Sequence, residues 1–385
     1  MIPTHLTVFI ALLHGAHHAF AQTSLGSSDF IRFGCSQLVI ERTDPLVNPG
    51  LNPTPHMHQV VGGNSFNVTM DPYTIDPPKT STCTSCIYKE DTSNYWTASI
   101  YFRSPENGTF KRVPQKANGR LNGTLLPQDG GLTVYYMLPF GGQNLNKTTK
   151  AFTPGFRMLA GDPTLRSNNT KTPFAICHRC LKESEGIMGG DGAPCDKNDT
   201  PYFPKKMCPG GIRATVIFPS CWDGKNVDSP DHRSHVAYAP SSSPYLGALA
   251  GDKCPASHPV RIPQVMYEIM FDTRQFNNEK YWANGKQPLV YSFGDPTGYG
   301  AHGDYLFGWK GDALQRGMDS LGKTCGSEYC DQVLTIQDGK DAIGCTKPQQ
   351  AVEDVGNDKC ECRPLPIVNF CGMWKIQNTR GRVQY

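Results

Sequence analysis

Charge is scarce in this chain. Of its 385 residues, 18% are Asp, Glu, Lys or Arg, against a typical share of roughly 25%. The net charge is only +3 with histidines neutral, too small a surplus to hold a polyanion, so no nucleic-acid partner is expected. Long apolar runs are missing as well. Past residue 21 none approaches the roughly 20 residues that a bilayer-spanning helix requires. The C-terminal Arg380 to Tyr385 lacks a lipid-anchor tail, so a soluble chain with no membrane partner is expected. Helical periodicity is nearly absent. The one candidate is Asp312 to Leu321, with Leu314, Met318 and Leu321 along one face and Gly322 as its stop. There is neither a strand–helix–strand alternation nor a repeat of propeller length, which leaves an antiparallel β architecture.

What is abundant points the same way. The chain holds 39 glycines and 31 prolines, a composition of turns. Runs rich in β-branched and aromatic residues recur between them: Leu38 to Ile40, Tyr95 to Phe102, Leu132 to Leu138, Ile212 to Phe218, Val260 to Phe271 and Leu289 to Phe293. The expectation is a mainly β fold, an antiparallel β-sandwich of jelly-roll type, loop-rich, disulfide-stapled and with few short helices. Leu6 to Leu13 form a short apolar core, and Ala19-Phe20-Ala21 supplies a small-x-small cleavage pattern. Residues 1–21 therefore read as a secretory signal peptide. All 15 cysteines lie beyond it, as in chains destined for an oxidising compartment. Six glycosylation sequons, at Asn67, Asn107, Asn122, Asn146, Asn168 and Asn198, agree. Residues 22–322 read as the main β domain. Residues 323–385, with Cys325, Cys330, Cys345, Cys360, Cys362 and Cys371, read as a cysteine-rich tail packed on it.

Two CxxC pairs, Cys83/Cys86 and Cys177/Cys180, have the spacing of zinc half-sites. The secretory setting favours disulfides instead. Gly161-Asp162-Pro163-Thr164 and Gly294-Asp295-Pro296-Thr297 share a tetrapeptide and read as two similar turns.

With the leader gone, seven histidines remain, and most sit in three polar clusters. His56-Met57-His58 follows Pro53-Thr54-Pro55. The prolines impose an extended approach, and residues i and i+2 of a strand share a face. Both imidazoles then converge on one ligand or divalent ion, zinc or copper by preference. Because neither stands at the expected mature N-terminus, Gln22, a copper clamp on a terminal histidine amine is not expected. Ser220 to Tyr238 packs three aspartates and two histidines into one loop. There Asp231 is expected to orient His232 or His235, because a carboxylate fixes an imidazole's tautomer and stabilises its cation. Cys221 and Trp222 are expected to anchor the loop. Gly298 to Tyr305 places Tyr299, His302 and Asp304 among three glycines, with Trp309 just beyond. Aromatic faces beside such polar groups suit sugar rings.

The stretches PHMHQ, Asn94-Tyr95-Trp96, PGFRMLAGDP, FPSCWDGKNVDSPDHRSHVAY and GDPTGYGAHGDYLFGW carry a resemblance. From about Arg32 to Cys330 the chain resembles a large fungal secreted family known as a domain of unknown function, often fused to WSC wall-binding modules. The resemblance implies an extracellular or cell-wall protein whose partner is wall polysaccharide, and implies no mechanism. The residues suggest an enzyme that cleaves glycosidic bonds by acid–base chemistry, a lyase slightly ahead of a hydrolase. His58, His232, His235, His302, Asp231 and Tyr299 are its expected catalytic groups. Arg157, Asn226, Asp304, Trp96 and Trp309 are its expected substrate contacts. A non-catalytic glycan-binding protein and a histidine-cluster metal protein, with His56 and His58 as ligands, stand as alternatives.

Overall fold

Strand pairing in a computed structural model of the chain yields two large antiparallel sheets. The structure describes residues 30–116, 120–121, 124–125, 131–139, 149–168, 174–185, 194–240, 253–282, 285–326 and 330–353. The leader, Asn122, Asn146, Cys360, Cys362 and Cys371 lie outside these. The six-stranded sheet runs in the order Phe30–Cys35, Leu132–Met137, Gln264–Phe271, Ile212–Ile217 and Ile176–Cys180, with Gln115–Lys116 paired to Gln264–Phe271. The five-stranded sheet runs Arg157–Gly161, His302–Leu306, Asn94–Ala98, His58–Gly62 and Val39–Glu41. Helix is limited, among the described residues, to Pro77–Thr80, Ala313–Asp319 and Gly339–Gly344, apart from two short 3-10 turns. None of these is long and apolar enough to cross a membrane.

The two sheets pack face to face. Period-2 alternation sends Tyr95 and Tyr305 inward from the five-stranded sheet to meet Tyr136 and Tyr267 of the other. All four are fully buried. The Tyr95 and Tyr267 rings lie 5.7 Å apart. Buried phenols need partners, and these find them. Tyr95 donates to Asp91 at 2.6 Å and Tyr267 to the Asp304 carbonyl at 2.7 Å. Tyr136 lies 2.8 Å from the Tyr95 hydroxyl and accepts from Trp309 Nε1 at 3.0 Å. Gly303 gives the opposite sheet room, since a Cβ on it would come within a tight 3.1 Å of the Tyr267 and Val216 side chains.

The five-stranded sheet is covered on its outer face too. Val60, Trp96, Leu159 and Leu306 point away from the first core and form a second one with Leu38, Leu46, Phe66, Met70 and Cys345. A sheet buried on both faces reads as continuous apolar runs, and its strands His58–Gly62 and Asn94–Ala98 are buried at every position. Residues past 322 join the same cores. Cys330 and Leu334 pack in the main cluster with Ile31, and Gln337 Nε2 donates to the Thr84 carbonyl at 2.8 Å.

The CxxC pairs are disulfide cysteines, each member bonded elsewhere: Cys35–Cys86, Cys83–Cys345, Cys177–Cys195 and Cys180–Cys208. Cys221–Cys254 and Cys325–Cys330 complete the set among the described residues. The six apolar runs of the sequence all fall on strands, and the helix forms at Ala313–Asp319 with Leu314 and Met318 buried. Strands such as Arg157–Gly161 and His302–Leu306 lack a conspicuous apolar signal. Their polar and glycine positions are the ones that build the site.

Candidate metal centre

The outer face of the five-stranded sheet carries a row of side chains that begins with His58. Its strand partner is Ala98. Gly303 pairs with Thr97, and carrying that register one step further sets His302 level with the far side of Ala98. His302 in turn pairs with Gly161 on the edge strand. Paired residues of antiparallel strands share a face, so two imidazoles flank a single methyl group. The small residues are what admit them. A Cβ at Gly161 would lie 2.8 Å from the His302 Cα, and Gly161 takes a φ of +88°.

His56 completes the group from the segment preceding the strand. Its ring lies 5.8 Å from that of His58 and 5.7 Å from that of His302, while His58 and His302 lie 6.1 Å apart. One nitrogen from each of the three falls within 4.8 Å of the others. A tetrahedral ion with bonds of about 2.0–2.1 Å needs donors roughly 3.4 Å apart, a spacing inside that limit.

Hydrogen bonding fixes which nitrogens are donors. His58 Nδ1 faces the Thr43 carbonyl at 3.3 Å, and His302 Nδ1 faces the Gly300 carbonyl at 2.9 Å. A carbonyl can only accept, so each Nδ1 carries the proton and each Nε2 presents a lone pair. His58 Nε2 is buried and has no partner. This second-sphere arrangement orients metal-binding histidines. The Gly300 carbonyl is itself held in place, because Asp295 Oδ2 accepts from the Gly298 and Gly300 amides at 3.0 and 2.8 Å. The glycine-rich stretch thus serves the His302 ring. Burial, and then the neighbouring imidazoles, depress the His58 pKa to about 3 and that of His56 well below its usual value. Burial lowers His302 as well. Neutral imidazole is the form that ligates.

Carboxylates surround the triad. Asp304, two residues beyond His302 on the same face, is fully buried with both carboxylate oxygens unpartnered. Burial, then the charge of Asp44, push its pKa well above the carboxylate range. Asp44 accepts from the Leu46 and Val47 amides at 3.1 Å, and both Asp44 and Asp162 bear on His302 electrostatically. Arg233 exerts its charge on His302 and Asp304 alike. Phe293 lies tilted against His56 and His302, its ring centroid 5.1 Å from each, and the Arg166 guanidinium lies over its ring at 5.6 Å. His56 is only half-buried.

Other expected residues take different places. Asp231 bonds neither histidine directly: its Oδ1 accepts from the Ser234 amide and from the Ser229 and Ser234 hydroxyls, closing a turn, and it reaches His235 only through Ser229. The partner of His232 is Asp228, at 2.7 Å, which also pairs with Arg157 at 2.6 Å. His235 is buried, bonded to the Arg157 carbonyl at 2.9 Å and to Ser229 Oγ at 2.8 Å, and it secures the loop to the edge strand. Arg157, buried against Asp228 and the Met70 carbonyl, is structural rather than a substrate contact. Trp96 and Trp309, 0% and 2% exposed, present no face to a sugar ring. Asp304 is likewise beyond the reach of a polymer. Asn226 is exposed in a turn closed by Asp223, and its carbonyl accepts from Trp222 Nε1. Tyr299 lies at the half-exposed surface beside Tyr202, with ring centroids 5.6 Å apart. Cys221 and Trp222 do anchor the loop, through Cys254 and Phe156. Asp44 and Arg233 were not singled out by sequence, and the pairing of Asp228 with His232 was not foreseen. For Asp228 the available signal was the i,i+4 spacing to His232.

No curated protein and no solved structure matches the chain. The sequence profile of the domain of unknown function DUF1996 matches residues 44–309, an interval that opens on Asp44 and takes in all three histidines of the centre, and the chain belongs to that family.

Proposed function

We propose that the protein is a secreted metalloenzyme acting on cell-wall polysaccharide through one transition-metal ion held by His56, His58 and His302. The observation that carries this reading is the pair of buried imidazoles whose Nδ1 protons are committed to backbone carbonyls. The same two rings meet a third, that of His56, with one nitrogen of each within 4.8 Å of the others, and His58 Nε2 has no other partner. Three protein donors leave a coordination position open for water or substrate, the usual make-up of a catalytic rather than a structural site. Three imidazoles without thiolate suit zinc or copper. When bound, such an ion supplies Lewis acidity to a ligand in the open position.

A metal-free proton relay is less well served. General acid–base work needs groups that titrate near the working pH, whereas burial keeps these imidazoles neutral. The extracellular setting is supported by the leader pattern and by six disulfides. It is also supported by exposure of the sequon residues Asn67, Asn107, Asn168 and Asn198. The polysaccharide substrate rests on the resemblance to a family associated with wall-binding modules.

Elemental analysis of protein purified from a secretory host tests the reading. One zinc or copper per chain is expected in the wild type and in His232→Ala, and none in His58→Ala or His302→Ala. Folded wild-type protein that takes up neither metal, or metal retained by both histidine variants, overturns it.

A further inference from the structure

A groove beside the hairpin of strands Ile100–Arg103 and Phe110–Arg112 takes no part in the centre described above. Its volume is about 540 Å³, within the roughly 300–1,000 Å³ that small-ligand sites span. Arg103, Glu106, Asn107 and Phe110 line it from the hairpin, and Tyr281 and Lys286 from a later segment. Backbone bonds hold both sides in place. Across the turn, the Ser104 amide donates to the Thr109 carbonyl and the Gly108 amide to the Ser104 carbonyl, both at 2.8 Å. The Arg103 amide donates to the Pro288 carbonyl at 2.8 Å, which joins the hairpin to the second side. Lys280 Nζ lies 3.0 Å from Glu106 Oε1 and 4.8 Å from the centre of the Tyr281 ring, which sets the turn beside that ring.

Asn107 is at once a lining residue and the acceptor of the sequon Asn107-Gly108-Thr109. Its Oδ1 accepts from the Thr109 hydroxyl at 2.7 Å and from the Thr109 amide at 3.0 Å. The carboxamide is thereby fixed through its oxygen, and Nδ2, the atom that takes a sugar, is left without a hydrogen bond among the described residues. Asn198, by contrast, donates Nδ2 to Asp196 at 3.4 Å. Asn107 is exposed, and a Cβ built on Gly108 would meet nothing within 4 Å. The turn is open to a glycosyl-transferring enzyme.

We propose that Asn107 bears an N-linked glycan whose two innermost N-acetylglucosamines lie in this groove, against Phe110 and Tyr281. The groove is a binding site for the protein's own carbohydrate. Its chemistry matches that ligand. The two aromatic rings supply apolar faces for the C–H surfaces of sugars. Arg103 and Lys286 donate and Glu106 accepts, which serves hydroxyl and acetamido groups that do both. Covalent attachment at the lining makes docking intramolecular, at an effective concentration on the order of millimolar, so weak contacts suffice. None of these residues belongs to the three-histidine centre, and the place of the glycan does not depend on what that centre binds.

Full-length protein secreted from a yeast host supplies the test. Mass spectrometry of its peptides should show Asn107 glycosylated. The native protein is then treated with endoglycosidase H, which cuts between the two innermost N-acetylglucosamines. Release from Asn107 is expected to be about tenfold slower in the wild type than in Tyr281→Ala or Phe110→Ala, as a glycan outside the groove for about a tenth of the time requires. Denaturing the proteins first should abolish the difference, which separates docking from a change in the glycan itself. Should one variant fail to fold, the other decides the matter. An unmodified Asn107 overturns the proposal. So does equal release from native wild type and a folded variant, because the sugars would then lie outside the groove.

Discussion

At the scale of single residues, the histidines divide by what their second nitrogen meets. His58 and His302 spend Nδ1 on carbonyls and keep Nε2 free. His235 spends both nitrogens, on Ser229 and the Arg157 carbonyl. His178 does neither: its Nε2 lies 2.8 Å from the Tyr291 hydroxyl, while Nδ1 is buried without a partner. Burial lowers the His178 pKa from 6.5 to about 4, which makes it a stability term remote from the metal. A depressed folded-state pKa means the unfolded chain binds the proton first. The contribution of neutral His178 is thus complete above pH 6.5 and is lost progressively as pH falls toward 4. At pH 4.5 the loss is about 2.5 kcal/mol relative to pH 7. Urea unfolding at those two pH values should show a total decrement, to which the other buried imidazoles contribute, that is about 2.5 kcal/mol larger in the wild type than in His178→Gln. An equal decrement in both would remove His178 from the account.

At the scale of elements, the site is a property of strand register. Ala98 and Gly161 matter through what they omit, since each sits beside a histidine and leaves it space. Ala98→Leu would fill the floor between His58 and His302 and press their rings apart. Overpacking of this kind costs roughly 1–3 kcal/mol, which a sheet buried on both faces absorbs without unfolding. The expected outcome is a folded variant with wild-type far-ultraviolet circular dichroism and no stoichiometric metal. Metal at the wild-type level would show that the row across the strands does not shape the site. The two Gly-Asp-Pro-Thr turns illustrate the same logic. Asp162 and Asp295 each accept from the amide and hydroxyl of the threonine two residues on. One turn follows the edge strand level with His302, and the other leads into the loop whose Gly300 carbonyl holds the His302 ring.

At the scale of the whole molecule, the centre joins segments distant in sequence. His56 and His58 come from one end of the described chain and His302 from the other. The Cys83–Cys345 disulfide, with a sequence separation of 262, fastens the C-terminal part to the roof over the same sheet. A ligand that binds only the assembled state stabilises it by mass action, about 4 kcal/mol when present at a thousandfold its dissociation constant. Removing metal with a chelator should therefore lower the melting temperature of the wild type, and returning zinc or copper should restore it. His302→Ala should show neither change. A chelator-insensitive melting temperature in metal-loaded wild type would mean that the ion does not tie these segments together.

The sequence by itself determined much of the frame. The six apolar runs are strands because β-branched and aromatic alternation suits a pleated, buried surface. The CxxC cysteines form disulfides, and His56 lies near His58 because it stands two residues away, although His56 sits in a bend before the strand and not in it. Helix Ala313–Asp319 is legible for the same reason, its apolar face being written within ten residues. What stayed hidden depends on contacts between distant segments. Only strand register across Ala98 decides that the third imidazole is His302 rather than His232 or His235. Only the second core over the outer face decides that Trp96 is buried and withheld from any sugar. Only the turn chemistry of Asp231 decides that Asp228 takes the histidine. Local periodicity states which way a side chain points along its own strand, but what it meets there is set by the packing of elements that sequence does not place side by side.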